Sequence, residues 1–432
     1  MKVFFPLYLI EVYLVFTLFL YVFGPVYFES HNAVFFWALI FLYHVSFVLG
    51  YVLSVFLYRR PASVSRAEYS PFLFYISLFF AVIGVLLAYK NLMLTSGLFP
   101  TNIVEEVFRG AVDPRGVYSE RMRLITAPSY AGGMRWLNVL SIFFAFFKLL
   151  FIFVFVFYWR NLGGVEKSIS CLYSLLFLAP GVASGTNSVI FIFFIFLIFS
   201  VAVVLFLKRR RAFWLFSVFG CALFFIPISV FGYVMSRRGG GFDSIARVSP
   251  LGDISVVMET PALDSFIGFL SYSLVWLNYY LVQGYYGFSL VLNMDLNWTF
   301  GFGNSAFLQR QLLLLTGVDV SEDTFQARIS DIWDESGQWH SFYGHFANDF
   351  GFVGLSCFLL FLGFFVSRVW LSVIYQNSFY GAALVPVIII MFVFIPANNQ
   401  VFGYIDTFSY FVFISLFWLL EGKSMRWEKG NV

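Results

Sequence analysis

Polar residues interrupt this chain at wide and nearly regular intervals, and the apolar runs between them set the architecture. A helix needs about 20 apolar residues to cross a bilayer. Nine segments approach that length: 3–24, 33–58, 70–89, 136–158, 186–207, 212–235, 346–372, 380–397 and 400–420. A weaker run at 168–184 makes a tenth. The pattern predicts an all-α polytopic membrane protein with about ten transmembrane helices, or 11–12 if a further run crosses. Two stretches, 90–135 and 236–346, are too long for simple connections and are expected to be large loops. Residues 1–432 otherwise read as one integral membrane domain.

The uncertain run is 264–293. Gly268, Gly284 and Gly287 interrupt it, and Tyr272, Trp276, Tyr279, Tyr280, Tyr285 and Tyr286 crowd it. Tyr and Trp favour the headgroup level of a membrane. Broken backbone is tolerated at depth only where protein buries it. The run is therefore read as a re-entrant or interfacial hairpin packed on the bundle, with two short spans as the alternative.

Composition agrees. Of 432 residues 61% are hydrophobic and 11% charged, against about a quarter charged in soluble domains; the mean hydropathy is +0.86. A net charge of +3 gives no basis for nucleic-acid binding. Position matters more than sum. Arg59, Arg60, Arg66, Arg160, Lys167, Lys208, Arg209, Arg210, Arg211, Arg368 and the tail residues Lys423, Arg426 and Lys429 follow alternate spans, whereas 25–32 and 398–399 carry no Lys or Arg. The positive-inside rule then places both termini in the cytoplasm and both large loops outside it, as in a bacterial inner (plasma) membrane protein. Cys171, Cys221 and Cys357 all fall in apolar runs, so neither disulfides nor thiolate metal sites are expected. The first apolar run has no small-residue cleavage site and reads as a span.

Inside spans, charge is costly and usually paired. Lys148 in the fourth run can meet either Glu11 or Asp406. In the large loops the cations, Lys90 apart, are arginines: Arg109, Arg115, Arg121, Arg123 and Arg135, then Arg237, Arg238, Arg247, Arg310 and Arg328. The guanidinium fork grips phosphate bidentately and keeps its charge beside lipid. An anionic ligand close to lipid is expected, although each Arg alone also fits a partner among the loop carboxylates. The second loop ends in residues 328–354, where His340 and His345 stand beside Asp331, Asp334, Glu335 and Asp349. A boundary His titrates near neutrality and can take a proton from a hydroxyl, or simply anchor the chain. Asp331, Asp334 and Glu335 read as one helix face, so no metal is assigned.

The run His340-Ser-Phe-Tyr-Gly-His-Phe-Ala-Asn-Asp349-Phe-Gly351-Phe-Val-Gly354 resembles a signature shared by bacterial O-antigen polymerases and O-antigen ligases. In it a His or Asn opens a stretch ending in acidic-x-Gly-x-x-Gly at the start of a late span. Arg121-x10-Gly132 is similar to a pattern in some polymerase loops. The resemblance implies a GT-C-like fold with two large periplasmic loops, and a glycosyltransferase of lipopolysaccharide biosynthesis. Its substrates would be undecaprenyl-diphosphate-linked oligosaccharides, with a growing glycan transferred to a lipid-linked repeat unit. It implies no cofactor, and the bilayer and a chain-length regulator protein as partners. The roles it suggests are His340 as base with Asp349 and His345 in support. Arg310, Arg328, Arg115, Arg121 and Arg123 would hold the diphosphate, and Tyr279, Tyr280, Tyr285, Tyr286, Trp298 and Trp339 would stack on sugars. An O-antigen ligase acting on lipid A-core, or a non-enzymatic flippase or other transporter, are the alternatives. Paired broken helices and polar spans, which transport favours, are not evident in the sequence.

Overall fold

A computed structural model describes residues 2–59, 69–93, 102–125, 135–208, 222–335 and 337–427, with positions 212, 213, 216 and 220. In chain order the first elements are α1 (Phe5–Phe23), β1 (Val26–Phe28), α2 (Ala33–Phe56), α3 (Pro71–Met93), α4 (Ile103–Val112), α5 (Pro114–Ile125) and α6 (Arg135–Tyr158). Next come α7 (Gly164–Ala183), α8 (Ser188–Lys208), α9 (Phe225–Arg238), α10 (Asp243–Ala246) and β2 (Ile254–Val256). The chain ends with α11 (Phe266–Val291), α12 (Ala306–Thr316), α13 (Phe325–Arg328), α14 (Phe342–Gln376), α15 (Phe379–Phe394) and α16 (Ile405–Trp427).

The protein is an all-α, multi-pass membrane protein. Among the described residues seven helices are long and apolar enough to cross a bilayer: Lys2–Phe23, Ala33–Phe56, Pro71–Tyr89, Leu140–Tyr158, Gly164–Ala183, Ser188–Lys208 and Phe342–Gln376. Three of the ten expected spans fall outside that set. The run 380–397 holds the shorter apolar helix α15, 400–420 overlaps α16, and 212–235 lies partly outside the described residues.

The chain forms two units. The first comprises 1–64, 240–377 and 390–404. Its frame is α2 against α14, and two glycines let their backbones touch. A Cβ on Gly50 would stand 1.9 Å from the Leu360 carbonyl oxygen, and one on Gly363 2.1 Å from that of Phe47. Such small-residue contacts are how helices pack in lipid, where apolar side chains gain little by leaving the solvent. Helix α14 is not continuous: Gly351 has φ 66° and ψ 166°, a region essentially confined to glycine. Its short first segment therefore turns away from the long span. Between α1 and α2, β1 pairs antiparallel with β2, Tyr27 opposite Ser255.

The hairpin expected at 264–293 is corrected, because α11 is one unbroken helix of 26 residues, about 39 Å long. Its glycines are points of contact and not breaks. A Cβ on Gly284 would lie 2.4 Å from the Pro396 carbonyl oxygen, and one on Gly287 2.9 Å from Trp333 Nε1.

The second unit comprises 65–239, 378–389 and 405–432. Helix α6 is its centre, buried without a break from Leu149 to Tyr158. Lys148 sits mid-helix with its Nζ 2.5 Å from Asp406 Oδ2, which settles its partner. Glu11, the other candidate, bonds His44 Nδ1 at 2.6 Å in the first unit. The large loop 90–135 holds α4 and α5, and Arg237 and Arg238 end α9.

Candidate functional site

The segment 333–345 runs along one side of α11 in the first unit. The Tyr279 hydroxyl donates to Gln338 Oε1, the Trp339 backbone N–H donates to Gln283 Oε1 at 3.2 Å, and Ser341 N–H donates to the Gly284 carbonyl at 3.3 Å. Tyr280 and Trp339 meet edge to face at 4.9 Å, as do Tyr286 and Trp333 at 4.8 Å. Small residues at 284 and 287 let the segment approach to backbone distance, and the tyrosines on either side grip it. Ser341 then caps α14 by accepting from Gly344 N–H at 3.2 Å, a favourable N-cap.

His340 is the pivot of this wall and is buried, with 1% of its surface accessible. One ring nitrogen bonds the Trp333 backbone, while Nε2 is buried without a partner. Burial first, and the nearby His345 second, push its pKa down to about 3. This corrects the expected boundary histidine titrating near neutrality: the imidazole is a neutral hydrogen-bonding group. His345 is buried too, 6.2 Å from His340 ring to ring. Buried amide nitrogens on Gln283 and Gln326 also lack partners, so the motif is backed by polar groups whose bonding is incomplete.

Asp349 has a different duty. Its Oδ1 accepts from Thr299 Oγ1 at 2.6 Å, Gly301 N–H at 2.9 Å and Gly303 N–H at 3.1 Å. Its Oδ2 accepts from Asn304 N–H at 3.0 Å and Asn304 Nδ2 at 2.7 Å. One buried carboxylate thus closes the loop 299–304, which needs a clamp because Phe300 and Gly301 both take positive φ, 54° and 87°. Next to it, Asn348 ties Phe325 N–H, the Gly303 carbonyl and Gln326 together. Asp349 therefore organises backbone, and both its oxygens are occupied.

Several sequence expectations divide here. Tyr279, Tyr285 and Tyr286 are buried at 3%, 0% and 0% accessibility and leave no ring face for a sugar, which corrects that assignment. They pack on α1 and β1 as well as on 333–345; Tyr285 bonds Thr17 and Tyr279 stacks on Phe28. Tyr280 and Trp339 are half-buried and Trp298 is exposed. Arg310 and Arg328 are exposed in the first unit, Arg328 donating to the Asp295 carbonyl at 2.6 Å. Arg115 and Arg121 belong to the second unit, Arg115 exposed and Arg121 half-buried. The side chain of Arg123, like Gly132, lies outside the described residues. Residues 331–335 form turns and not the expected helix face. Among the described residues no three His, Cys, Asp or Glu side chains are grouped to hold a metal ion. Glu335 is exposed beside Asp334.

One constellation escaped the sequence reading. His31, in the short loop after α1, bonds Asp253 in the large second loop at 2.8 Å, and Asp253 also accepts from Tyr286 OH at 2.6 Å. The partners are 222 positions apart, and no local spacing announces them. The chain matches no protein-family model, no curated protein and no solved structure.

Proposed function

We propose that this protein is a polysaccharide polymerase of the O-antigen type. It transfers a growing glycan from undecaprenyl diphosphate to a sugar hydroxyl on a lipid-linked repeat unit, at the extracytoplasmic face of the inner membrane. The single observation that carries the reading is the economy of the 340–354 run. Asp349 is an acid because it neutralises three backbone N–H groups and two side-chain donors. Residue 351 is glycine because its φ is +66°, and position 340 holds a neutral hydrogen-bonding ring against α11. At Asp349 and Gly351, two of the positions that resemble the signature, local geometry demands that residue type, which is how a site-building motif behaves.

Chemically, the transfer requires cations for the departing diphosphate. Arg310 and Arg328 are the candidates in the first unit, and the assignment of Arg115, Arg121 and Arg123 rests on the sequence alone. Half-buried Tyr280 and Trp339 and exposed Trp298 are the remaining sugar-stacking candidates. The polarity of the chain is concentrated in its connecting segments, which favours surface chemistry over passage through the bundle.

The test is a gene deletion followed by gel analysis of lipopolysaccharide. Loss of the ladder with retention of core bearing one repeat is the expected result. Loss of that single repeat as well identifies a ligase, and an intact ladder overturns the reading.

A further inference from the structure

The four histidines differ in what they can do with a proton. His44 lies within α2 bonded to Glu11, and His340 and His345 are buried. His31 is the most open in environment: 37% of its side chain is accessible, whereas that of its partner Asp253 is 6% accessible. An ionised carboxylate only accepts hydrogen bonds, so Nε2 of His31 carries the hydrogen and Nδ1 holds the lone pair. This is the geometry of an oriented imidazole, with a buried acid fixing the tautomer and the opposite nitrogen left for chemistry.

The acid is well placed to orient that ring. Burial alone would raise the Asp253 carboxyl, but donation from His31, Tyr286 and Ser249 holds it below the usual carboxylate range. Among the described residues no Lys or Arg forms an ion pair with it, and its Oδ1 is buried without a partner. A buried anion lacking a fixed cation is costly, so the hydrogen bonds from His31 and Tyr286 are what hold it in place. The surroundings suit an anionic lipid-linked sugar. Asn32, beside His31, accepts from Asn293 Nδ2 at 2.8 Å, and two residues on, the Asp295 carbonyl accepts from Arg328. The turn 293–295 therefore links the neighbour of an open imidazole to an exposed guanidinium.

We propose that His31, oriented by Asp253, is the general base of the glycosyl transfer. The inference rests on the polymerase reading for its substrate. In the step, the acceptor sugar hydroxyl oxygen forms a bond to the anomeric carbon of the donor. The bond from that carbon to the diphosphate oxygen breaks, and its electron pair leaves with undecaprenyl diphosphate. The hydroxyl proton passes to His31 Nδ1 and from there to solvent. The products are a lengthened glycan on the acceptor lipid and free lipid diphosphate.

His31→Gln decides the matter, because the glutamine amide keeps a donor for Asp253 and removes the basic lone pair. The assay uses purified protein in bilayer nanodiscs with lipid-linked repeat units extracted from the deletion strain. General bases contribute about 10²–10⁴ in rate, so the variant should lose at least roughly 100-fold in kcat with little change in KM. His31→Ala should regain part of its rate with added imidazole, since the site is open. Asp253→Asn, should His31→Gln fail to fold, is expected to lose at least about 10-fold while retaining the thermal stability of a folded protein. Full activity of folded His31→Gln or Asp253→Asn, or a His31→Ala protein indifferent to imidazole, overturns the inference and leaves the polymerase reading standing. An intact ladder in the deletion strain overturns the polymerase reading itself, whatever these variants do.

Discussion

Tyr286 and Trp333 connect His31 to His340, and nearly everything about the surroundings of the two histidines is reversed. Tyr286 lies 6.0 Å from the His31 ring and 4.8 Å from Trp333, whose backbone bonds His340. On one side the imidazole is closed off, neutral and held against α11 by glycine contacts. On the other it is open and bonded to a buried carboxylate, and its neighbour Asn32 bonds the turn that holds Arg328. The residue that belongs to a recognisable motif is thus suited to building a wall, and the one outside any motif is suited to moving a proton. A signature can mark the scaffold of a site more strongly than its reacting groups.

That contrast can be broken from the closed side first. Asp349→Ala would leave five donors unanswered and release the loop 299–304. Losing a buried, multiply bonded carboxylate costs about 3–5 kcal/mol. A large fall in the thermal midpoint of the solubilised protein is expected, with Asp349→Asn milder; an unchanged midpoint would remove Asp349 from its clamping role. Gly284→Ala comes next. Its Cβ meets the carbonyl oxygens of Pro396 and Ala397 at 2.4 and 2.7 Å, backbone atoms with little room to retreat, so overpacking should cost about 1–3 kcal/mol. Gly287→Ala, opposed chiefly by side chains, should cost less, and the reverse ranking would contradict the packing described here.

The electrostatic half of the contrast is tested by pH. The folded pKa of His340 is depressed from 6.5 to about 3, so between those values the unfolded chain binds more protons. Stability from this group is therefore complete above about pH 6.5 and is lost as pH falls towards 3. His340→Gln should flatten that part of the stability curve, which chemical denaturation at stepped pH would reveal. The smallest effect is expected from Tyr286→Phe, which removes one donor to Asp253 and should cost about 0.5–1.5 kcal/mol. Its better readout is a modest drop in turnover with the closed wall intact.

The membrane spans were legible because lipid demands long apolar runs, and 33–58 and 346–372 lie where α2 and α14 do. The glycines of α11 were misread for a physical reason: a glycine within a helix looks the same in sequence whether it breaks the helix or admits a neighbour's backbone. The tyrosines were misread similarly, since an amphipathic ring suits an interface and a buried hydrogen bond equally well. The site was half legible. Position 351 announced itself through the acidic-x-Gly pattern, whereas Asp253 carried no local mark and was found only through its distance from His31.

Lys148 and Asp406 have a consequence for the birth of the protein. They are 258 residues apart, and a lysine at the centre of a span opposes insertion by about 2.5–3.5 kcal/mol. At roughly 5–20 residues per second, the helix bearing Lys148 waits on the order of ten to fifty seconds before its counter-charge is even synthesised. Through that interval the apolar remainder of α6 has to hold it in the bilayer unaided. Its dense phenylalanines, whatever else they pack against later, supply that early grip. A chain truncated before residue 405 is accordingly expected to fail at α6, far upstream of the cut.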